Sequence, residues 1–208
     1  MKVAIIASGK LQKELKLNTE LLICADGGAE HAKNFGLMPK YIIGDFDSIS
    51  AETLAYFKKK GVEIIHDEDQ DSTDLQKALN LAQKIGVTDL KIYGAVGEEL
   101  DHTLGNLLCL EKISIEIALT VFGEKEVIYR VCDSLQLDLK QDTLVSVIAL
   151  TEVKGLTYQG LKWPVKNLDV PQNWLGTRNR ATGPVEISVR AGQVLVMVAK
   201  LGMLNFEL

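Results

Sequence analysis

The first 122 residues alternate between two hydrophobic periodicities, and this alternation restricts the possible folds more than any other feature. Short β-branched runs such as KVAIIAS, LLICA and YIIG are separated mostly by stretches with helical spacing, for example AEHAKNFG and AETLAYFKKKG. A repeat of strand, helix and strand predicts a mostly parallel sheet with helices on both faces. We therefore expect an α/β domain over residues 1–122.

The most regular helix is predicted within the stretch TDLQKALNLAQKIG, residues 73–86. Thr73 and Gln76 have the spacing of a capping box, and Leu75, Ala78, Leu79, Ala82 and Ile85 recur on one face. Gly86 can adopt the left-handed conformation that ends a helix. This helix should therefore begin next to Asp74.

The pattern changes after about residue 123. EVIYRV, LQLDL, TLVSVIAL, VEISVR and QVLVMVAKL have the composition of strands, and turn residues separate them. No stretch in this half has convincing helical spacing. We expect an antiparallel β-sandwich over residues 126–208, with the domain boundary at residues 123–125.

Composition excludes several classes of protein. No apolar stretch reaches the roughly 18 residues of a membrane-spanning helix, and the start MKVAIIASGK is too short in its apolar part for a secretory signal. The net charge is −5 and the Lys and Arg residues are dispersed apart from KKK at 58–60, which argues against a nucleic-acid partner. We expect a cytoplasmic protein in which Cys24, Cys109 and Cys132 are buried free thiols.

Acidic residues follow four of the predicted strands. Asp26 follows LLICA, Asp45 and Asp47 follow YIIG, VEIIH leads to Asp74, and KIYG leads to Asp101 and His102. Ligands of open parallel sheets bind at the carboxyl ends of the strands. We therefore expect several of these side chains to converge on one edge of the sheet.

Converging carboxylates need a positive charge, because two of them 4 Å apart repel by about 4 kcal/mol at an effective dielectric near 20. No Lys or Arg falls within residues 41–57 or 61–76. Oxygen ligands without Cys or His favour Mg²⁺, with Mn²⁺ or Ca²⁺ as substitutes. The glycines of ADGGAE and GAVGEE, which include Gly27 and Gly94, would let backbone amides approach a polyphosphate. The alternative interpretation, solvated loop acids, is the favoured one for Asp67, Glu68 and Asp69.

Three motifs together resemble the thiamine pyrophosphokinase family. They are ADGGAEHAKNFGLMPKYIIGDFDSIS, DQDSTDLQKAL and GAVGEELDHTLGN, in this order and spacing. The resemblance implies an α/β nucleotide-binding domain followed by a β-sandwich that binds thiamine, in a homodimer with sites between subunits. It also implies transfer of a diphosphoryl group from ATP to the hydroxyl of thiamine, with release of AMP.

Carried over by position, the resemblance implies roles for individual residues. The implied Mg²⁺ ligands are Asp45, Asp47 and Asp74, with Asp101 as a further catalytic residue. The implied nucleotide contacts are Asp26, Gly27, Gly94, Asp101 and His102. The implied thiamine contacts are Gln70, Trp163, Thr177 and Asn179, the last three from the segments GLKW and GTRN.

Two positions depart from the family pattern, and two other functions stay open. Glu99 stands where the family often has Arg, and Arg178 stands where it commonly has Ser, so Arg178 is a candidate replacement for the missing phosphate contact. A phosphohydrolase with Asp45 as nucleophile would explain the sequence DFD. A module that binds nucleotide or thiamine without turnover would explain the cluster of acids. Trp163 and Trp174 could stack on the thiazolium ring or belong to the core.

Overall fold

The computed structural model describes residues 1–11, 15, 17–97 and 99–202. The chain divides into two compact units between Glu124 and Lys125. The strands of the first unit are β1 (Lys2–Ile6), β2 (Leu21–Ala25), β3 (Tyr41–Gly44), β4 (Glu63–His66), β5 (Asp89–Tyr93) and β6 (Ala118–Phe122). Its helices are α1 (Gly28–Asn34), α2 (Ala51–Lys59), α3 (Asp74–Lys84) and α4 (Leu100–Leu108), followed by a 3₁₀ turn at Cys109–Lys112.

The six strands of the first unit pair in the order β6-β5-β1-β2-β3-β4. The pairings within this unit are parallel, as the alternation of strands and helices predicts. The chain runs outward from β1 through β4 and then returns to the other side of β1 with β5. The chain therefore leaves β1 toward β2 and leaves β5 toward β6, in opposite directions along the sheet. Such a switch point is where open α/β sheets form a ligand crevice.

Helix α3 has the predicted start and end. The Thr73 hydroxyl accepts a hydrogen bond from the backbone N–H of Gln76, and the Gln76 side chain accepts one from the backbone N–H of Thr73, which completes a capping box. Gly86 ends the helix with a φ of +79°. The predicted apolar face is buried except at Ile85, which is half-buried because it is the C-cap residue. This face packs against β2 and β3, so the first turn of α3 lies near the carboxyl ends of those strands.

The second unit consists mainly of antiparallel strands. They are β7 (Glu126–Val131), β8 (Ser134–Leu137), β9 (Leu144–Ala149), β10 (Val153–Leu161), β11 (Val165–Val170), β12 (Leu175–Ser188) and β13 (Val194–Ala199), before a 3₁₀ turn at Lys200–Gly202. The strand order is β11-β10-β12-β9-β13-β7, and β8 also pairs with β12. The predicted antiparallel character is thus present in the described part of this unit.

Sequence patterns missed β10, β11 and the first half of β12. Gly155 and Gly160 interrupt β10 with φ values of +67° and +75°, and most of β11 is exposed. Neither strand therefore shows a clean alternation of apolar and polar residues. They are strands because β10 pairs with both β11 and β12, which supplies the hydrogen bonds that local propensity does not predict.

The cysteine prediction is confirmed with one correction. Cys24, Cys109 and Cys132 are free thiols, and the first two are buried, but Cys132 is only half-buried. Burial raises the pKa of the Cys109 thiol to about 11. Within the described residues, no helix has the length and hydropathy needed to span a bilayer.

Candidate active site

Three carboxylates meet where β2 and β3 end and α3 begins. Asp26 follows β2, Asp45 follows β3, and Asp74 is the first residue of α3. One carboxylate oxygen from each lies within 4.8 Å of the others. Asp26 is buried and the other two are half-buried. We call these three residues the acidic cluster.

Asp26 is the most buried member of the acidic cluster. Its Oδ2 accepts a hydrogen bond of 2.9 Å from the backbone N–H of Ser48, whereas its Oδ1 is buried without a hydrogen-bond partner among the described residues. Burial, together with the neighbouring Asp74 and Asp47, raises the pKa of Asp26 to about 6, although the hydrogen bond from Ser48 lowers it. An orphaned, buried carboxylate oxygen beside two other carboxylates fits a bound cation.

Gly44 keeps open the space beside the acidic cluster. A Cβ atom at this position would lie 2.8 Å from Asp26 Cβ and 3.1 Å from Asp74 Oδ1. The first distance is shorter than real contacts allow. A side chain at position 44 would therefore force Asp26 and Asp74 apart.

Asp45 is held by hydrogen bonds to both of its oxygens. Oδ2 accepts from Gln70 Nε2 at 3.2 Å, and Oδ1 accepts from the backbone N–H of Asp47 at 3.3 Å. These hydrogen bonds, that of Gln70 first, lower the pKa of Asp45. Gln70, predicted near thiamine, thus also orients a carboxylate of the acidic cluster.

Asp47, the third predicted metal ligand, lies outside the acidic cluster. Its side chain is exposed, and its Oδ1 accepts a hydrogen bond of 2.7 Å from Ser48 Oγ. It lies near enough to Asp26 to raise the pKa of that carboxyl. In the structure Asp26, and not Asp47, completes the group of three carboxylates with Asp45 and Asp74. Metal ligation by Asp47, which the family motif implies, stays a prediction.

Lys77 is a residue of the site that the sequence patterns did not predict. Its side chain is 2% exposed, and its Nζ donates to Asp74 Oδ1 at 3.2 Å and to the backbone carbonyl of Asp67 at 2.9 Å. Lys77 directly follows the stretch 61–76, which contains no Lys or Arg. The spacing of Asp74 and Lys77 on one helix, i to i+3, was the available signal. Part of the charge of the acidic cluster is thus balanced by the protein itself.

A cavity of about 390 Å³ opens at the switch point between β1 and β5. It contains two predicted nucleotide contacts, Gly94 and His102. It is lined by Ser8, Gly9, Lys10, Gly94, Ala95, Gly97, Glu99, His102, Thr103 and Asn106. The segment Ser8 to Lys10 was not predicted as part of the site, although its SGK sequence begins two residues after the end of β1.

The loops after β1 and β5 approach each other closely at this cavity. The backbone N–H of Gly9 donates to the Gly94 carbonyl at 2.9 Å. Gly94 has a φ of +70°, and a Cβ there would lie 2.5 Å from the Ala7 carbonyl oxygen. Only glycine fits this position without moving a backbone.

Gly27 lies between the cavity and the acidic cluster. A Cβ at Gly27 would lie 3.2 Å from Ser8 Cβ and 3.3 Å from Ser48 Cβ. Ser8 lines the cavity, and Ser48 is the hydrogen-bond donor to Asp26. The cavity and the acidic cluster are therefore neighbours on one edge of the sheet.

Asp101, the further predicted catalytic residue, is exposed and does not line the cavity. Its Oδ1 accepts a hydrogen bond of 2.9 Å from the backbone N–H of His102. Its catalytic role stays a prediction.

In the second unit, Asn179 supports the segment that carries Trp163. Its side chain donates to the Trp163 carbonyl at 2.8 Å and accepts from the N–H groups of Trp163 and Arg180 at 3.1 and 2.9 Å. Trp163 is 57% exposed, whereas Trp174 packs against the core of the unit. Thr177 is exposed. Trp163 is thus the tryptophan that can meet a ligand.

The carboxylates of Asp67 and Asp69 accept hydrogen bonds within the loop after β4. Asp67 Oδ1 accepts from the backbone N–H of Asp69 at 3.1 Å, and Asp69 Oδ1 accepts from that of Asp71 at 3.0 Å. These carboxylates hold turns of the loop after β4. They are not members of the acidic cluster.

Comparison with known proteins gives one consistent family. A family model described as "Thiamin pyrophosphokinase, catalytic domain" matches residues 12–121, more than half of the chain, and one described as "Thiamin pyrophosphokinase, vitamin B1 binding domain" matches residues 134–194. Thiamine pyrophosphokinase from Bacillus subtilis is 28% identical over 156 residues, which are 72% of each chain. Thiamin pyrophosphokinase 1 from Caenorhabditis elegans is 23% identical over 181 residues, which are 81% of this chain and 73% of the relative.

Solved structures of the same description share the fold. The crystal structure of the Bacillus subtilis protein has a TM-score of 0.81 at 24% identity and covers 95% of this chain and 98% of its own. Thiamin pyrophosphokinase from Candida albicans has a TM-score of 0.75 at 16% identity, covering 95% of this chain and 88% of its own. At these identities the likeness concerns the fold.

Proposed function

This chain belongs to the thiamin pyrophosphokinase family, and on that premise we propose that it transfers a diphosphoryl group from ATP to the hydroxyl of thiamine, releasing AMP. Its activity is that of a diphosphotransferase in the formation of thiamine diphosphate. The observation that carries the proposal is the acidic cluster with its orphaned Asp26 oxygen, beside a cavity at the switch point of the sheet.

The acidic cluster fits Mg²⁺, with Mn²⁺ as a substitute. Asp26, Asp45 and Asp74 offer oxygen ligands only, which hard divalent cations prefer. When bound, Mg²⁺ would supply positive charge to the polyphosphate and to the oxygens that gain charge during transfer. Gln70 fixes the orientation of Asp45, and Gly44 leaves room beside Asp26 and Asp74.

The cavity between the loops after β1 and β5 is the proposed ATP site. Gly9 and Gly94 bring the backbone close to a bound ligand, and Lys10 and His102 add polar groups at the lining. Positioning of the polyphosphate between this cavity and the neighbouring acidic cluster would account for most of the catalytic effect. Thiamine would bind the exposed face of Trp163, and Thr177 is the other exposed candidate contact.

Product analysis tests the proposed reaction against its rivals. Purified protein with ATP, Mg²⁺ and thiamine should form AMP and thiamine diphosphate in equal amounts, and only with a divalent cation. ADP or inorganic phosphate as the main product would favour a phosphohydrolase with Asp45 as nucleophile, which would also leave an aspartyl-phosphate. Binding of both substrates without any product would identify a binding module.

The two tryptophans give a matched test of the thiamine contact. Trp163→Ala should raise the KM for thiamine by about 2- to 30-fold, as expected for loss of a cation–π contact of about 0.5–2 kcal/mol. It should hardly change Tm, because the side chain is mostly exposed. Trp174→Ala should instead lower Tm, since Trp174 packs on the core. Steady-state kinetics and circular dichroism measure both effects, and an unchanged KM in Trp163→Ala would refute the contact.

The proposal extends to the architecture of the second unit, the ligand of each unit and the oligomeric state. The second unit would be a sandwich, since β12 pairs with β9 through its first half and with β10 and β8 through its second. The first unit would bind nucleotide and metal and the second thiamine. Three leucines exposed on one face of α4, Leu100, Leu104 and Leu108, support a homodimer interface. The sites would lie between the two subunits of that homodimer. Sedimentation velocity of the purified protein tests the homodimer. Localisation in the cytoplasm stays a prediction.

A further inference from the structure

The acidic cluster is in contact with a buried cation that the proposed reaction does not use. Lysine is almost never fully buried unless it is paired, and the Lys77 side chain is 2% exposed. Its ammonium donates to Asp74 Oδ1 at 3.2 Å and to the Asp67 carbonyl at 2.9 Å. Lys77 thus joins the start of α3 to the loop after β4, with its charge against one of the three clustered carboxylates.

The ammonium group of Lys77, placed against Asp74, opposes the binding of a free metal ion to the acidic cluster. A divalent cation held by Asp26, Asp45 and Asp74 would share the Asp74 carboxylate with an ammonium group. Two positive charges repel more strongly where little water separates them. The ammonium is buried and anchored by the Asp67 carbonyl, so it cannot move into solvent without losing a second hydrogen bond. The acidic cluster therefore attracts metal less than three unpaired carboxylates would.

We propose that Lys77 is a positioning residue that keeps the affinity of the acidic cluster for free divalent ions low, so that the metal is bound together with the polyphosphate of the nucleotide. The inference rests on the metal site of the proposed function. Mg²⁺ is usually held by one or two carboxylates together with substrate phosphates. The negative charge of a polyphosphate would offset the charge of Lys77, and the cavity that would hold it adjoins the acidic cluster through Gly27.

Metal titration without nucleotide tests this role directly. Lys77→Met replaces the ammonium by an unbranched apolar side chain that can occupy the same space. Mn²⁺ binding, followed by electron paramagnetic resonance, should be at least about tenfold tighter in Lys77→Met than in the wild type. Lys84→Met, a change of an exposed lysine on the same helix, is the matched control and should bind Mn²⁺ as the wild type does. Asp45→Asn in the Lys77→Met background should remove the added affinity, which would place the ion at the acidic cluster.

A second measurement adds a non-hydrolysable ATP analogue. The analogue should increase the Mn²⁺ affinity of the wild type by a larger factor than that of Lys77→Met, because only the wild type needs the phosphate charge to offset Lys77. Lys77→Gln, which keeps a donor for the Asp67 carbonyl, should behave like Lys77→Met and serves if the methionine variant does not fold. Unchanged or weaker Mn²⁺ binding in the neutral variants would overturn the inference. So would tight Mn²⁺ binding by the wild type that the analogue does not improve.

The titration separates this inference from the proposed function. A wild type that converts ATP and thiamine, with neutral Lys77 variants that bind Mn²⁺ no more tightly, would refute only the role of Lys77. A wild type that forms no thiamine diphosphate, with Lys77→Met still binding Mn²⁺ more tightly, would refute the reaction and leave the role of Lys77 standing.

Discussion

Asp45→Asn and Asp74→Asn are each expected to lower kcat for thiamine diphosphate formation by at least about 100-fold. Each substitution keeps the shape of the side chain but removes a charge that would stabilise the transition state through the metal, and loss of one such contact costs this much in other enzymes. Asp26→Asn should have an effect of similar size, because its oxygen lies within 4.8 Å of the other two. Coupled measurement of AMP at saturating Mg²⁺ gives the rates.

Without metal, the three substitutions should change Tm in different directions relative to the wild type. Asp26→Asn and Asp45→Asn should keep or raise Tm, because they relieve repulsion within the acidic cluster. Asp74→Asn should lower Tm, because it leaves the buried ammonium of Lys77 without its carboxylate. Full activity in all three variants would place the site elsewhere.

The variant Asp47→Asn tests whether Asp47, as the family motif implies, or Asp26, as the geometry indicates, is the third metal ligand. The motif assigns Asp47 to the metal, whereas the structure places it beside Asp26 and outside the acidic cluster. The geometry predicts a smaller loss of kcat for Asp47→Asn than for Asp26→Asn. The reverse order would return Asp47 to the set of ligands.

Gly94→Ala is expected to destabilise the protein by about 2–5 kcal/mol and to raise the KM for ATP. Alanine at a φ of +70° costs about 1–2 kcal/mol. The new Cβ would also lie 2.5 Å from the Ala7 carbonyl oxygen, and relieving such an overlap typically costs about 1–3 kcal/mol more. Because Gly94 lines the proposed ATP cavity, the backbone shift should also widen that cavity.

Gly86→Ala provides the control for this substitution. Gly86 has a similar φ of +79°, but a Cβ there would meet nothing within 4 Å. Its variant should lose only the conformational cost of about 1–2 kcal/mol and keep the KM for ATP. Urea unfolding and steady-state kinetics compare the two variants. Equal losses of stability would show that the close approach of the loops after β1 and β5 is not what requires glycine at position 94.

Local patterns in the sequence determined the elements of the first unit. The hydrophobic periodicity of each segment depends on the geometry of its own backbone, so β1 to β6 and the major helices were predictable. The capping box at Thr73 and Gln76 fixed the start of α3 for the same reason, and with it the place of Asp74. The rule that parallel strands end at one edge then predicted that several of the acids at the strand ends would converge, and Asp26, Asp45 and Asp74 are the ones that do.

The tertiary structure decided which side chains meet, because distances between separate segments depend on how those segments pack. Asp45 and Asp47 are neighbours in sequence, yet Asp45 joins the acidic cluster with Asp26, whose residue number is far lower. Trp163 and Trp174 have similar contexts in sequence, but cross-strand packing buries only the second against the core. Lys77 lies on the helix that carries Asp74, and only the packing of α3 against the loop after β4 turns it from an ordinary helical lysine into a buried cation beside the acidic cluster.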